Sequence, residues 1–378
     1  MGKLSSHGDL IVKLRNQGHS FDHIVSELDI RYNIQTARST VINQYRKSVT
    51  ITAQRKDISQ ETIDKTKEDS LYKLLDEYGR YNLIPILQEV QKKYNLKTIP
   101  YVYKSGNVSK GLFISDVHAG KEVIGQEGEI LYNSELTKKR LEHLGERFIF
   151  KCINNSKKID EIFILLAGDI VENEIIYPGQ AHNIDIPTLM QMIVARDALW
   201  ESIIFKIAKK FPDIPINVYC VPGNHARPGN DKQVSKMSNW DNVVYSSLAA
   251  MAGLANECNY ANNINIKFTL KDYINFQVRD WNCHMRHHGP KQVETAAGSD
   301  DVGGWYKQHK MDMLFYGHWH RPSLSNWNDV PVLVGGCVSG TDDYAESLSV
   351  GCSACQIILE IDDEKEFKEI GYELIYLE

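Results

Sequence analysis

From Gly111 onward the chain alternates short apolar runs with longer mixed stretches. The runs "GLFIS", "EIFILLAG", "INVYCVPG", "YINFQV", "MDMLFYG", "PVLVGG", "CQIILEI" and "YELIYL" have the length and the β-branched and aromatic content of strands. Most are apolar throughout rather than alternating, which predicts strands covered on both faces. Helical periodicity falls near residues 134–154 and 188–211, between the early runs. This pattern predicts an α/β domain over 110–378 whose later strands form a mixed, two-sheet arrangement. Ligands in such a domain gather where loops leave the strand ends.

The first 56 residues have a different texture. "DLIVKLRNQG" carries Leu10, Ile11 and Leu14 at helical spacing, and "SFDHIVSELDI" follows the N-cap Ser20 with Phe21, Ile24, Val25 and Leu28. "NIQTARSTVINQYRKS" predicts a third helix with Ile34, Ala37, Val41 and Tyr45 facing inward. Its other face offers Gln35, Arg38, Asn43, Gln44, Arg46 and Lys47, side chains that reach base edges or grip phosphates. The stretch resembles the helix-turn-helix heads of recombinases and phage packaging proteins, which predicts a small all-α, DNA-binding domain over 1–56. The alternative is a helical interaction module with a solvated polar face. Residues 57–109 read as a charged helical connector, with an apolar stripe at Leu71, Leu74, Leu75 and Tyr78 through which a homo-oligomer could form.

Charge sharpens the division. The 378-residue chain has a net charge of −6, yet residues 1–56 carry nine Lys or Arg against four acids, leaving −11 for the rest. A basic head on an acidic body predicts an anionic partner for the head, and DNA is the expected one. No apolar run reaches the length of a membrane span, so no membrane partner is expected. Seven cysteines without framework spacing indicate a reducing compartment, and the cytoplasm of a bacterial or phage-infected cell is the expected location. The Cys352–Cys355 pair reads as buried core rather than as a metal or redox motif.

The loops after the apolar runs carry the candidate chemistry. "FISDVHAG" supplies Asp116 and His118, "LLAGDIVEN" Asp169, and "VPGNHARPGN" Asn224 and His225. "HMRHHGP" supplies His287 and His288, and "FYGHWHRP" supplies His318 and His320. Each motif alone has an ordinary turn explanation. Five in this order, four directly closing an apolar run, point to a metal site. Strand alternation puts any His-x-His pair on one face, so His318 and His320 alone decide nothing.

The series DxH, GDxxE, GNH, HHG, GHxH over residues 111 to about 345 is similar to the calcineurin-like metallophosphoesterases, in particular to phage and bacterial members. The resemblance implies a double β-sandwich flanked by helices and two divalent metals at the strand ends. Mn²⁺ is the expected metal, with Fe²⁺, Zn²⁺, Co²⁺, Ni²⁺ and Mg²⁺ as alternatives. It further implies that Asp116, His118 and His320 hold one metal, that Asn224, His288 and His318 hold the other, and that Asp169 bridges them. His287 is the alternative to His288. A water between the metals would then attack phosphorus in line. His225 matches the family histidine that contacts the phosphate or protonates the leaving oxygen, and Arg227 is placed to bind a substrate phosphate. Two departures from the family pattern are Glu172, three residues after Asp169, and Ala226–Arg227 in place of the usual acid after GNH. Glu172 reads either as a residue orienting His225 or as a solvated loop side chain. His284 and Trp319 read as structural.

The expected function is hydrolysis of phosphoesters, above all of phosphodiesters in DNA, by a metal-dependent nuclease. One alternative is a phosphomonoesterase or nucleotide phosphodiesterase whose head serves assembly. The other is a DNA-binding regulator with a non-catalytic metal site.

Overall fold

The computed structural model describes residues 8–16, 20–32, 37, 40–43, 104, 106–229, 238–341, 352–362 and 370–377. The chain forms two compact units, 1–75 and 76–378, each described by itself.

In the first unit, α1 (Gly8–Asn16) and α2 (Phe21–Tyr32) join a helical turn at 40–43 around Ile11, Leu14, Ile24, Leu28 and Val41. The Ser20 hydroxyl caps α2 by accepting the His23 N–H at 3.2 Å. Asn43 is exposed. Gln35, Arg38, Gln44, Arg46 and Lys47 lie outside the described residues, as does nearly all of the connector expected over 57–109.

The second unit begins with β1 (Val108–Ile114), a hairpin of β2 (Val123–Ile124) and β3 (Ile130–Tyr132), α3 (Ser134–Ile153) and β4 (Ile159–Leu166). Next come α4 (Thr188–Ala198), which runs through a π-helical turn into α5 (Phe205–Lys210), then β5 (Ile216–Cys220) and α6 (Trp240–Glu257). β6 (Ile264–Phe268), β7 (Tyr273–Val278), β8 (Trp281–Arg286), α7 (Ala296–His309) and β9 (Met313–Tyr316) follow. The chain closes with β10 (Ser323–Trp327), β11 (Val330–Val334), β12 (Cys355–Ile361) and β13 (Ile370–Tyr376).

One sheet has the order β13-β12-β1-β4-β5-β6, with β1, β4, β5 and β6 parallel. The other has the order β10-β11-β9-β8-β7, with β8, β9 and β11 parallel. The sheets pack face to face through Phe113, Phe163, Leu165 and Tyr219 on one side and Cys283, Met285, Met313 and Phe315 on the other. Phe113 and Phe315 meet edge to face at 5.6 Å. The opposite face of the first sheet, including Leu112, Ile164 and Val218, is covered by Leu144, Phe148, Ile203 and Leu248 from the helices. Leu314, Tyr316 and Val332 cover the outer face of the second sheet with Val302 and Trp305 of α7. This is the α/β double sandwich expected, and it explains why β1 and β4 are buried at every position.

Seven elements lie outside the predicted runs and helical stretches: β2, β3, β6, β8, β10, α6 and α7. β10 has polar residues at three of its five positions, and α7 opens "AAGSDDVGG", which has weak helical periodicity. Cys355 is buried in β12, and its thiol lies 4.0 Å from that of Cys352.

Candidate metal centre

Five loops meet where β1, β4 and β5 of one sheet and β8 and β9 of the other end. The backbone stitches them together. Asp116 N–H donates to the Gly168 carbonyl at 3.1 Å, His118 N–H to that of Asp169 at 2.9 Å, and Gly317 N–H to that of His287 at 3.0 Å. Asp241, in the first turn of α6, accepts Ile170 and Val171 N–H on one carboxylate oxygen and Gly223 N–H on the other. Sequence reading missed Asp241, since a lone acid after an N-cap carries no motif.

Close approach needs two glycines. Gly168 has φ +86°, and a Cβ there would lie 2.8 Å from His287 Nδ1. At Gly223 a Cβ would lie 2.1 Å from both the N and the Oδ1 of Asp169. The site residues themselves take unusual backbone. Asp116, His118, Asp169, His318 and His320 have φ between +50° and +74°, five of the eleven non-glycine residues with positive φ among those described. Left-handed backbone costs each of them about 1–3 kcal/mol, and such strain concentrates at functional sites.

Two side-chain clusters result. In the first, His118 Nε2 lies 3.0 Å from His320 Nε2 and 3.9 Å from Asp116 Oδ1, while His320 Nε2 is 3.4 Å from Asp116 Oδ1. In the second, His287 Nε2 lies 3.0 Å from Asp169 Oδ2 and 3.1 Å from Asn224 Oδ1, with His318 in the same group. Asp169 also faces His118 and His225 and so stands between the clusters.

Tautomers decide what these clusters want. His118 Nδ1 donates to Glu172 Oε2 at 2.7 Å, and His287 Nδ1 donates to the Ala167 carbonyl at 2.6 Å. In the neutral ring each Nε2 then presents a lone pair to the carboxylate, amide or imidazole beside it in a buried space. Carboxylate, amide and imidazole groups converging in this way fit a cation, and two such groups sharing Asp169 fit two. At His287 a proton stands in. Burial opposes its charge, but Asp169 and Asp116 outweigh burial and raise the imidazole to about 9. His318, pushed down to about 4 by burial and by His287, stays neutral and ready to ligate.

Of the two adjacent histidines, His287 is the one that joins Asp169 and His318. His287 is buried among the clustered groups, whereas His288 is exposed, its ring tilted at 43° to that of His318 with centroids 4.3 Å apart. His288, the ligand expected, thus lies outside the cluster, and His287, its alternative, lies within it. Strand phase explains it: Cys283 and Met285 point into the core between the sheets, and His287 continues that alternation past the end of β8. His284 has the opposite phase and stacks on Tyr273 and His309, away from the site, as expected. Trp319 packs against the outer core and donates its indole N–H to the Gly289 carbonyl at 2.9 Å.

Glu172 is not a solvated loop residue. It is fully buried and, besides His118, contacts His225 Nδ1 at 3.2 Å, Tyr177 Oη at 2.9 Å and Gln180 Nε2 at 3.0 Å. His225 sits edge-on to His118 at 4.7 Å, and its backbone N–H donates to Asp169 Oδ1 at 2.7 Å. Burial lowers its pKa, but Asp169 and Glu172 more than compensate and hold it above the ordinary value. Arg227 donates its Nε to the Asn224 carbonyl at 2.7 Å. The Asn173 side chain, unnoticed in the sequence, ties that loop down through the His225 and Arg227 carbonyls.

A family model described as calcineurin-like phosphoesterase matches residues 110–322, more than half the chain. The chain belongs to the calcineurin-like phosphoesterase family. Membership carries metal-dependent phosphoester hydrolysis, in keeping with the paired clusters. Similar solved structures include a predicted phosphoesterase from Streptococcus pneumoniae TIGR4, at 13% identity and TM-score 0.32, covering 71% of this chain and 90% of that one. A novel archaeal phosphodiesterase matches at 15% identity and TM-score 0.33, covering 70% and 99%. The zinc complex of Vps29 from Entamoeba histolytica matches at 11% identity and TM-score 0.31, covering 71% and 99%. No curated protein matches the chain. Among the described residues, no helix is long and apolar enough to cross a membrane.

Proposed function

We propose that this calcineurin-like phosphoesterase is a dinuclear-metal phosphodiesterase acting on nucleic acid, with DNA as its first substrate. The observation that carries the reading is the pair of carboxylate, amide and imidazole clusters sharing Asp169. Asp116, His118 and His320 would hold one divalent cation, and Asn224, His287 and His318 the other, with Asp169 between them. Bound there, the cations supply Lewis-acid charge against the phosphoryl oxygens and make a water acidic enough to attack at neutral pH. Glu172 holds His225 by Nδ1, which leaves Nε2 to give its proton to the departing oxygen. Arg227, fixed by its Nε on the Asn224 carbonyl, is assigned to a non-bridging phosphate oxygen.

The choice of nucleic acid rests on the head. Residues 1–56 carry the +5 excess, a hydrolase of small phosphomonoesters has no use for such a module, and the head would deliver the active unit to DNA. The test is cleavage of supercoiled and end-labelled linear DNA with Mn²⁺, beside p-nitrophenyl phosphate as monoester and bis(p-nitrophenyl) phosphate as diester. The expected result is cleavage of DNA and of the diester, abolished in Asp116→Ala. Cleavage of the monoester alone, or DNA cleavage retained in Asp116→Ala, overturns the reading.

A further inference from the structure

Single exposed apolar side chains are ordinary on protein surfaces, but a group of them on one braced segment beside a reaction site is not. Between Glu172 and α4, Ile175 is 54% exposed, Tyr177 39%, Leu189 65% and Met190 43%. The segment is held by its own hydrogen bonds. Gln180 accepts Ile176 N–H at 2.7 Å, donates its backbone N–H to the Tyr177 carbonyl at 3.3 Å, and donates Nε2 to the Glu172 carbonyl at 2.7 Å. The Glu174 carboxylate accepts the N–H and the hydroxyl of Thr188, which fastens the Ile175–Tyr177 arm to the first turn of α4.

Tyr177 is fixed at its far end as well. Its hydroxyl donates to Glu172 Oε1 at 2.9 Å, and its ring stands 6.0 Å from that of His225 at an interplanar angle of 70°. An aromatic residue is thus held by its hydroxyl next to the histidine assigned to the leaving oxygen while the residue as a whole stays 39% exposed. A group stacking there meets a surface already ordered, so little entropy is lost in making the contact.

We infer that Tyr177 is a stacking platform for a nucleobase of the substrate, the base carried by the nucleoside esterified to the reacting phosphate, with Ile175 extending the apolar surface. This rests on the phosphodiesterase reading and deepens it. A base is the occupant because a ring this close to the reacting centre meets whatever lies one sugar from the phosphate, and every base offers a π-face. Tyr177 then positions substrate, and its hydroxyl serves only to hold the ring on Glu172.

The test compares two diesters that differ only on the leaving side, thymidylyl-(3′→5′)-thymidine as the nucleoside ester and the methyl ester of thymidine 3′-monophosphate, on the full chain with Mn²⁺. The quantity read is the ratio of their kcat/KM values. Because both substrates meet the same preparation, the ratio does not depend on the fraction of folded or metal-loaded protein. The wild type is expected to favour the nucleoside ester by about tenfold or more, chiefly through KM. Tyr177→Phe keeps the ring but unties it from Glu172 and should lower the ratio only in part, while Tyr177→Leu should bring it close to unity. Equal rates on the two esters in the wild type, or an undiminished ratio in Tyr177→Leu, overturn this inference alone. Hydrolysis of neither ester by the wild type overturns the phosphodiesterase reading, and the platform falls with it.

Discussion

At Glu172 one buried carboxylate serves two imidazoles. It fixes His118 with Nε2 aimed at Asp116 and His320, and it holds His225 by Nδ1. Glu172→Gln keeps the shape but replaces the anion with an amide, and residues that orient metal-ligating histidines typically contribute about 10–100-fold to metal affinity. The substitution is expected to weaken metal binding by that order, read by competition with a chelating dye, and to lower kcat by a comparable factor. His287 adds a pH dependence. Its folded-state pKa, near 9, lies above the ordinary 6.5. The stability this proton contributes to the metal-free protein is therefore full below pH 6.5 and is lost as pH rises through 9. Thermal melts of metal-free protein should fall across that window. Metal binding needs the neutral imidazole, so metal affinity should rise by up to about tenfold per pH unit and level off above 9. A metal affinity that does not change between pH 6 and 8 contradicts this assignment.

At the scale of elements, the site is made by strands ending together, and its tolerance is set by backbone. Gly223→Ala would place a methyl group 2.1 Å from Asp169 N and Oδ1. The loop has to move, at about 1–3 kcal/mol, and activity should fall with it; an unchanged melting temperature and metal content would count against so tight an approach. These strand ends were legible in the sequence because β1, β4 and β5 are apolar runs that stop directly at their ligand residues. The placing of His287 within "RHHGP" is legible too, since the alternation of Cys283 and Met285 continues past Arg286 to His287. Asp241, Asn173 and Gln180 were not legible. Their roles are hydrogen bonds to loops distant in sequence, which no local pattern encodes.

At the scale of the whole molecule, the basic head and the metal-bearing unit divide the labour proposed for them. Removing residues 1–56 is expected to abolish DNA retention at low salt and to leave hydrolysis of bis(p-nitrophenyl) phosphate within about twofold, since the head contributes phosphate contacts rather than chemistry. Electrophoretic mobility shifts and rates measured on the same preparation check both halves. The claim underneath is that His287, and not its neighbour, joins Asn224, His318 and Asp169 around a catalytic metal. It is tested most directly by rates of bis(p-nitrophenyl) phosphate hydrolysis at saturating Mn²⁺ for the wild type, His287→Ala and His288→Ala. The predicted result is turnover by the wild type, a loss of roughly a hundredfold or more in His287→Ala, and a rate within a few-fold of wild type in His288→Ala. A His287→Ala protein that turns over like the wild type, or a His288→Ala protein that is the inactive one, would contradict it.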